Sequence, residues 1–364
     1  MERYLKDNHT LMLITKSTAN TENLKNIKII KVPDWYPKHR IISGLSYIIF
    51  AIYQIFLNRE NIDVIHAKQM YSAAIIGAFA NYFFKIPVVS KNTATNEVGE
   101  IAAMKKLPFY RLRLLILKQV NYFIALTSQA KKEVMSIGIP EERIEVIPNG
   151  VVITDEVAYK NETRSKYKQI LALDKEFVMI YTGRFAEEKN LDIIIEAINL
   201  MKRKRDLSRF QCVFLGEGGK FRNKESELRS KLAEYELESI IKFYPPVNNV
   251  YPFLLASDVF FLLSTSEGLS NALLEAMACG NIILATDIDA NRDFLVNKKN
   301  ALLVPVRDIE KTREMLEWIM DNRNNCTEFA KNARKKIEES VDIEVIYKKH
   351  LNLYQRAIDD KGKK

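Results

Sequence analysis

The chain contains few cysteines and few histidines, and this scarcity limits the sites it can build. Its three cysteines, Cys212, Cys279 and Cys326, lie far apart and show no metal-ligand spacing. A sparse and odd number of cysteines is typical of a reducing cytoplasm, so we interpret them as plain thiols. The histidines number only four, and the sequence predicts no metal site.

Long apolar runs are also lacking, which argues against a membrane span. The longest apolar run, residues 41–57, is interrupted by polar groups such as Ser43 and Gln54, and its pattern indicates an amphipathic or buried helix. We see no signal peptide, repeat or low-complexity segment. The sequence therefore predicts a cytoplasmic protein, and its 364 residues suffice for two domains.

The net charge of +9 is unevenly distributed along the chain. Residues 1–150 hold 20 Lys and Arg against 12 Asp and Glu, a balance of +8, and the remainder holds 35 against 34. The excess is either ordinary solvated surface or a face for an anionic partner. Residues 105–119, KKLPFYRLRLLILKQ, mix cations with aromatic and aliphatic side chains. This composition favours peripheral contact with the anionic inner face of the plasma membrane. No sequence signature of a nucleic-acid-binding fold accompanies it.

Short β-branched runs alternate with helical patterns along the whole chain. Such alternation predicts parallel sheets covered by helices on both faces, an α/β fold of doubly wound domains. The predicted strands are residues 9–15, 27–33, 62–67, 86–91, 122–128, 144–151, 177–183, 210–216, 240–245, 259–265 and 281–287.

The turn Pro148-Asn149-Gly150 is a strong boundary signal between two such domains. We predict an N-terminal domain over 1–149, a C-terminal domain over 150–341 and a last helix over 342–359 that packs back toward the N-terminal domain. Two doubly wound domains bind ligands in the cleft at the carboxyl ends of their strands. Candidate chemistry should therefore follow the strands directly.

The first candidate site is the loop YTGRFAEEKN, which follows a predicted strand. Arg184 and Lys189 stand between Gly183 and the start of a helix. A planar guanidinium and a compact ammonium beside a helix start make an anion site, although an ordinary charged surface loop has the same pattern.

A glycine loop, FLGEGGKF, follows the next strand, at Gly216. A dinucleotide fingerprint needs glycine at its sixth position, where this chain has Phe221, so that interpretation is rejected. The loop either lets a ligand approach the backbone or is a plain turn.

The third candidate site is the segment EGLSNALLEAMACGN, which spans residues 267–281. Ser270 or Asn271 can cap the helix that starts there, which leaves backbone N–H groups for negative charge. Glu267 precedes the turn and should face a ligand. Glu275 stands among apolar residues, where a carboxylate is costly unless it holds hydroxyls, such as a ribose diol, or a cation. The alternative is a salt bridge or a glutamate on the helix surface.

Together these motifs resemble the retaining glycosyltransferases of family 4, which have the GT-B fold. The paired glutamates, TGRFAEEKN, FLGEGG, SDVFFLLSTSEG and IPNGV carry the resemblance, which covers nearly the whole chain. In the N-terminal half, VVSKNTATNEVGEI resembles one subgroup of the family more loosely.

The resemblance implies transfer of a sugar, with retention, from a UDP- or GDP-linked donor to a saccharide or lipid-linked saccharide in surface polysaccharide synthesis. It implies no cofactor, because Arg184 and Lys189 would hold the donor diphosphate in place of a metal. Glu267 would contact the donor sugar as the third catalytic residue, and Glu275 would hold the ribose hydroxyls. The segment 243–247 would lie beside the base. The other donor-binding residues would be Gly183, Gly216, Gly268, Leu269, Ser270 and Asn271.

The sequence departs from the family pattern in two places. The opening MERYLKDNHTLMLITK resembles the end of a first helix and a second strand, so we expect this sequence to lack the first strand of the N-terminal domain and its glycine loop. This predicts either a shortened transferase or a degenerate, non-catalytic subunit. Where many members have a histidine, this chain has Asn92, Thr93 and Ala94, and we interpret His66, on an earlier strand, as structural. A nucleotide-sugar epimerase of the same shape is a third alternative, disfavoured by the few histidines.

Overall fold

The computed structural model describes residues 9–15, 27–32, 40–93, 95, 99–153, 160–219 and 222–363. They form two compact units. The first contains the described residues of Met1–Leu126, Ala130–Ile147 and Tyr347–Lys364, and the second contains those of Thr127–Gln129 and Pro148–Ile346. The chain thus passes to the second unit beside the predicted turn, and most of its last helix belongs to the first.

The described strands of the first unit form two parallel sheets. The smaller sheet pairs β1 with β2, and the larger one has the order β3-β4-β5-β6. The strands are β1 (Leu11–Thr15), β2 (Ile27–Lys31), β3 (Ile65–Ala67), β4 (Val88–Asn92), β5 (Tyr122–Ala125) and β6 (Ile144–Val146). The helices are α1 (Arg40–Asn58), α2 (Ser72–Phe84), α3 (Glu100–Lys105), α4 (Tyr110–Leu117) and α5 (Ser128–Ser136).

Close packing of α2 on the larger sheet forms the core of this unit. A Cβ atom added at Gly77 would lie 2.6 Å from Cγ1 of Val88, so only glycine lets the helix approach β4 this closely. Val88 and Phe123 are fully buried in the same apolar cluster. The helix α1 packs on a second cluster, where Ile14 of β1 and Ile65 of β3 both contribute. These helices therefore cover strands from both sheets.

The second unit contains one six-stranded parallel sheet with the order β12-β11-β10-β7-β8-β9. Its strands are β7 (Phe177–Thr182), β8 (Phe210–Leu215), β9 (Ile241–Tyr244), β10 (Val259–Leu262), β11 (Ile282–Thr286) and β12 (Leu302–Val304). Its helices are α6 (Lys160–Ile170), α7 (Leu191–Lys202), α8 (Glu225–Glu234), α9 (Tyr251–Ala256), α10 (Asn271–Ala278), α11 (Asp289–Arg292), α12 (Ile309–Asp321) and α13 (Arg323–Ser340), and α14 (Ile343–Asp359) follows. The strand order reverses between β7 and β10, which makes this a doubly wound sheet.

Burial on both faces explains why the central strands are apolar throughout. Every residue of β7, β8 and β10 is buried, as expected for parallel strands covered by helices on both sides. The strand β12 was not predicted, because its three residues form too short a run to give a strand pattern.

A buried carboxylate joins the two central strands to the helices around them. Asp258 precedes β10 and accepts a hydrogen bond from the backbone N–H of Val178 on β7, at 2.9 Å. Its two oxygens also pair with the guanidinium groups of Arg164 and Arg323. Burial lowers the pKa of the Arg164 guanidinium, and the charge of Asp258 opposes that shift.

We predict that Asp258→Ala destabilises the protein by about 3–5 kcal/mol, because it leaves a buried guanidinium without its counter-charge. Urea unfolding of the two proteins measures the difference. The matched control is Asp321→Ala, which removes an ion pair with Arg205 in which the Asp321 side chain is 58% exposed. That pair should contribute about 1 kcal/mol or less, so equal losses in the two variants would contradict the prediction.

Candidate active site

The predicted donor loops leave neighbouring strands at the point where the strand order reverses. Val259 of β10 lies in register with Met179 of β7, so these two strands are adjacent at the centre of the sheet. Ligands of doubly wound sheets bind in the crevice at the carboxyl ends of such a strand pair. The loop 183–190 follows β7, and the loop 263–270 follows β10.

Two glycines face each other at the ends of β7 and β8. Gly183 and Gly216 have φ of 145° and 146°, a region that favours glycine. A Cβ atom on Gly216 would lie 2.0 Å from the carbonyl oxygen of Gly183, and the backbone N–H of Gly183 donates to the carbonyl of Leu215 at 3.0 Å. The two loops can therefore approach each other this closely only because Gly216 lacks a side chain, whereas a Cβ atom on Gly183 would meet the hydroxyl of Tyr181 at 2.8 Å.

A buried tyrosine fixes the turn that presents Arg184. The hydroxyl of Tyr181 donates to the backbone carbonyl of Arg184 at 2.8 Å, and burial raises the pKa of this phenol well above its usual value. The Arg184 side chain is 60% exposed, and its Nη2 lies 3.3 Å from Oε1 of Glu188. A pair this exposed contributes little, so the guanidinium remains able to bind an anion.

Lys189 and Glu267 form a buried ion pair between the two loops. Nζ of Lys189 lies 2.6 Å from Oε1 of Glu267, and their side chains are only 15% and 8% exposed. The same oxygen accepts a hydrogen bond from Oγ of Ser264 at 2.6 Å. The structure thus brings together two residues that the sequence places 78 positions apart.

Backbone contacts hold the two loops in register around this pair. The N–H of Thr265 donates to the carbonyl of Glu188 at 2.9 Å, and Nδ2 of Asn190 donates to the carbonyl of Leu263 at 3.2 Å. Asn190 itself has a left-handed backbone, with φ of 48°. The carboxylate of Glu188 is mostly buried, and its Oε2 has no partner among the described residues. The loop after β7 is therefore tied to the loop after β10 by fixed hydrogen bonds and also holds an unsatisfied acceptor.

The helix α10 begins at the same loop with a side-chain cap. Oγ of Ser270, rather than Asn271, accepts a hydrogen bond from the N–H of Leu273 at 3.3 Å. Asn271 instead accepts a hydrogen bond from Asn149, with Nδ2 and Oδ1 2.8 Å apart. In the described part of the chain, no acceptor is found for the backbone N–H groups that precede the helix, at Gly268, Leu269 and Ser270. They form a cluster of donors at the positive end of a helix.

Glu275 lies one turn into α10 and is half-buried. Burial raises the pKa of its carboxyl. No hydrogen bond or ion pair to this carboxylate occurs within the described ranges. The phenol of Tyr251 lies close enough to feel its charge: burial first, then Cys279 and Glu275, raises the Tyr251 pKa to about 12. A desolvated acceptor without a partner fits a ligand that brings its own hydroxyl donors.

The segment predicted to lie beside the base begins in an aromatic cluster. The ring of Phe243 packs edge-on against Phe185 and Phe214, at 5.3 and 5.2 Å between centroids. Arg229 covers the ring at 4.2 Å. The following residues, 245–247, are exposed.

In the first unit, His66 contributes to packing against the last helix. Its Nδ1 lies 2.5 Å from the hydroxyl of Tyr354, and its ring stacks on His350. Burial, helped by His350, Lys91 and Lys68, lowers the His66 pKa to about 3, so the ring is neutral at physiological pH. This is the role expected of a structural histidine.

The Gly-Glu-Ile sequence noted in the N-terminal half places a buried carboxylate. Glu100 accepts a hydrogen bond from the N–H of Met70 at 2.6 Å and another from the N–H of Thr93 at 3.0 Å. It therefore ties the ends of two strands together. The side chain of Asn92 is fully buried, and both of its amide atoms lack a partner among the described residues.

No cluster of three potential metal ligands occurs among the residues that the structure describes. Over the same residues, no helix has both the length and the apolar character needed to cross a membrane.

Sequence reasoning overlooked several residues that hold the site together. Ser264, Tyr181 and Glu188 all contact the predicted loops, yet none stands out in the sequence. All three lie within the quoted motifs, at or after the ends of β7 and β10, and that position is the only signal that could have indicated them.

Two family models match the chain. The model of glycosyltransferase family 4 matches residues 1–155, and the model of glycosyl transferases group 1 matches residues 163–336.

Two curated relatives illustrate the range of similar proteins. D-inositol 3-phosphate glycosyltransferase from Pseudarthrobacter chlorophenolicus is 24% identical over 84% of this chain and 74% of its own length. UDP-Gal:alpha-D-GlcNAc-diphosphoundecaprenol alpha-1,3-galactosyltransferase from Escherichia coli is 24% identical over 83% of this chain and 77% of its own length.

Solved structures with the same fold include HepE from Anabaena, which was crystallised with UDP-glucose. It superimposes with a TM-score of 0.76 and 16% identity, over 97% of this chain and 92% of its own. The two family models together span most of the chain, and the fold is that of GT-B enzymes. The chain therefore belongs to glycosyltransferase family 4 and is a transferase with the GT-B fold.

Proposed function

We propose that this protein transfers a sugar from UDP to a lipid-linked saccharide, with retention and without a metal, at the inner face of the plasma membrane. The observation that carries the proposal is the ion pair of Lys189 with Glu267, which joins the loops after β7 and β10 at 2.6 Å. Beside it stand an exposed guanidinium, free backbone N–H groups and a carboxylate without a partner. Each of these matches one part of a nucleotide sugar.

The diphosphate is assigned to Arg184, Lys189 and the N–H groups before α10. When the bond from the anomeric carbon to the diphosphate oxygen breaks, negative charge grows on that oxygen. Fixed donors and cations stabilise such charge most strongly where water is excluded. Because the acceptor hydroxyl enters on the face that the diphosphate leaves, these groups serve the leaving group throughout the reaction.

The ribose is assigned to Glu275 and the sugar to Glu267. One carboxylate can accept hydrogen bonds from both hydroxyls of a ribose diol. Oε1 of Glu267 is occupied by Lys189 and Ser264, so the contact to the sugar falls to its other oxygen. Glu267 thereby orients the sugar while it holds the cation of the diphosphate site.

The choice of UDP and of a lipid-linked acceptor rests on the relatives. HepE was crystallised with UDP-glucose, and the Escherichia coli relative is named for transfer from UDP-galactose to a sugar on diphosphoundecaprenol. The sugar transferred by this chain and the linkage it forms stay open in the proposal.

The test of the proposal is turnover with a panel of UDP-sugars, measured as UDP released in the presence of a membrane extract that supplies lipid-linked acceptors. We expect Arg184→Ala to lower the rate by about 10²–10³, the usual cost of removing one charge-stabilising donor. The matched control, Arg203→Ala, changes another exposed arginine of the same unit and should retain full activity. Binding of UDP without turnover of any donor would favour the non-catalytic subunit, and a fully active Arg184→Ala variant would contradict the assigned role.

The ion pair predicts an unusual response to UDP. In Glu267→Gln, Lys189 loses its buried counter-charge, and the free energy of unfolding should fall by about 3–5 kcal/mol. Bound diphosphate replaces that charge, so the rise in melting temperature caused by UDP should be larger in this variant than in the wild type. In Lys189→Met the same rise should be smaller than in the wild type.

Thermal unfolding with and without UDP measures both differences. Uridine serves as the control ligand, because it lacks the diphosphate and should shift the melting temperatures of all three proteins equally. If UDP shifts all three equally, Lys189 does not contact the diphosphate.

Glu275→Gln should stabilise the protein without ligand and weaken UDP binding. The folded-state pKa of Glu275 is raised, so its ionised form costs stability once the pH rises above the unfolded-state value of about 4.3. The neutral amide removes this cost at neutral pH and raises the melting temperature. It also weakens the bonds to the ribose, and we expect about tenfold lower affinity, equivalent to about 1.4 kcal/mol.

Calorimetric titration with UDP and with 2′,3′-dideoxy-UDP assigns that loss to the ribose. The wild type should lose affinity for the dideoxy compound, and Glu275→Gln should show little further loss. An equal additional loss in both proteins would show that Glu275 does not hold the ribose hydroxyls.

A further inference from the structure

An exposed apolar face covers the outer side of α2 and α4 in the first unit. Between the two helices lies an open groove of about 260 Å³, lined by apolar side chains that include Phe79, Leu115 and Ile116. Tyr82 and Phe83 stand at its edge and are 59% and 62% exposed. The helices form one continuous surface, because Asn81 of α2 donates to the carbonyl of Gln119, just after α4, at 2.6 Å.

The turn before α4 extends this face with an aromatic side chain. Phe109 is 79% exposed, and its backbone is left-handed, with φ of 57°. Such a conformation is costly for a bulky residue and is often retained where it serves a function. Leu112 and Leu115 lie three residues apart on α4 and are also exposed, so they continue the same stripe. We call this surface, with Tyr82 and Phe83, the aromatic face.

Exposed cations are concentrated in the segment of the chain that carries the aromatic face. Residues 64–132 contain ten Lys and Arg but only two Asp and Glu, a balance of +8, which equals the whole excess of residues 1–150. Several of these cations are exposed and form no ion pair within the described part of the chain: Lys85, Lys105, Lys106, Arg111 and Lys118. The basic excess of the N-terminal half is therefore concentrated along the segment that carries the face.

We propose that the aromatic face docks on the surface of an anionic lipid bilayer. Its aromatic and leucine side chains enter the boundary between headgroups and acyl chains, and the surrounding lysines and arginines contact lipid phosphates. Docking gives the enzyme access to a lipid-linked acceptor, and in this respect the proposal rests on the proposed function.

The charge pattern favours a bilayer over the other partners of an apolar surface. A second copy of this chain would bring the same unpaired cations against each other, and like charges facing each other oppose association. Nucleic acid would use the cations, but it would leave the aliphatic stripe of Leu112 and Leu115 without a partner. An anionic bilayer can bind both the cations and the aliphatic stripe, since it offers phosphate charge above an apolar layer.

The experiment is sedimentation of the full-length protein with vesicles of phosphatidylcholine, with and without phosphatidylglycerol, over a range of salt concentrations. Each basic residue at an anionic membrane contributes about 1 kcal/mol, or about fivefold in partitioning. Lys105→Glu/Lys106→Glu should therefore lower binding to the anionic vesicles by about 25-fold or more. Phe109→Ser/Leu115→Ser should lower it by about tenfold or more, since each side chain buries apolar surface.

The controls make the same double charge reversal and a similar apolar-to-serine change in the second unit. Lys331→Glu/Lys336→Glu reverses two exposed lysines of α13, and Ile170→Ser removes an apolar side chain that is 65% exposed. Both controls should bind anionic vesicles like the wild type. Binding of the wild type should fall as salt rises, because the ionic contacts are screened.

Three results would overturn the proposal: equal binding to neutral vesicles, equal losses in the controls, or no binding to anionic vesicles at low salt. In the last case, a dimer that Phe109→Ser/Leu115→Ser abolishes would identify a second copy of the chain as the partner. The UDP-induced rise in melting temperature, measured on the same samples, reports the donor site separately. A variant that no longer binds vesicles but keeps the UDP-induced rise in melting temperature is folded and has lost only its membrane binding. If the wild type binds vesicles but not UDP, the membrane-docking proposal is supported and the proposed function is contradicted.

Discussion

The buried ion pair between Lys189 and Glu267 is the interaction on which the proposed donor site depends. It bridges two loops that leave adjacent strands at the reversal of strand order, and its atoms lie 2.6 Å apart with little exposure to water. Two charges in such a place are tolerated only because each supplies the other's counter-charge. The pair therefore fixes the distance between the loops before a ligand arrives, and fixed charges need no reorganisation during a reaction.

Several neighbouring features support the proposed ligand site. Glu275 has a raised pKa and no partner within the described residues, and one oxygen of Glu188 is buried without a hydrogen bond. The N–H groups before α10 are also unsatisfied. Proteins rarely keep a buried polar atom such as this Glu188 oxygen unsatisfied. A bound substrate would supply hydroxyl donors to the carboxylates and negative charge to the N–H groups.

In the first unit, the strand ends and the outer helices carry different kinds of side chain. Its strand ends hold structural contacts, such as His66 with Tyr354 and Glu100 with Met70. Its outer helices instead expose aromatic and basic side chains together. These exposed groups belong neither to the candidate donor site nor to the apolar core. Their combination matches a membrane surface, which has a polar headgroup layer above an apolar layer.

The sequence alone determined the α/β class and eleven of the twelve described strands, and it indicated the residues of the candidate donor loops, because strand periodicity, glycine turns and charged residues after strands are local patterns. It left β12 undetected, since three residues give no pattern. It left open whether Ser270 or Asn271 caps α10, and it could not pair Glu267 with Lys189 or with Ser264. Only the tertiary structure decided these, because strand order brings together residues far apart in the chain, and because burial, which sets the pKa of Glu275 and of His66, depends on everything packed around a group.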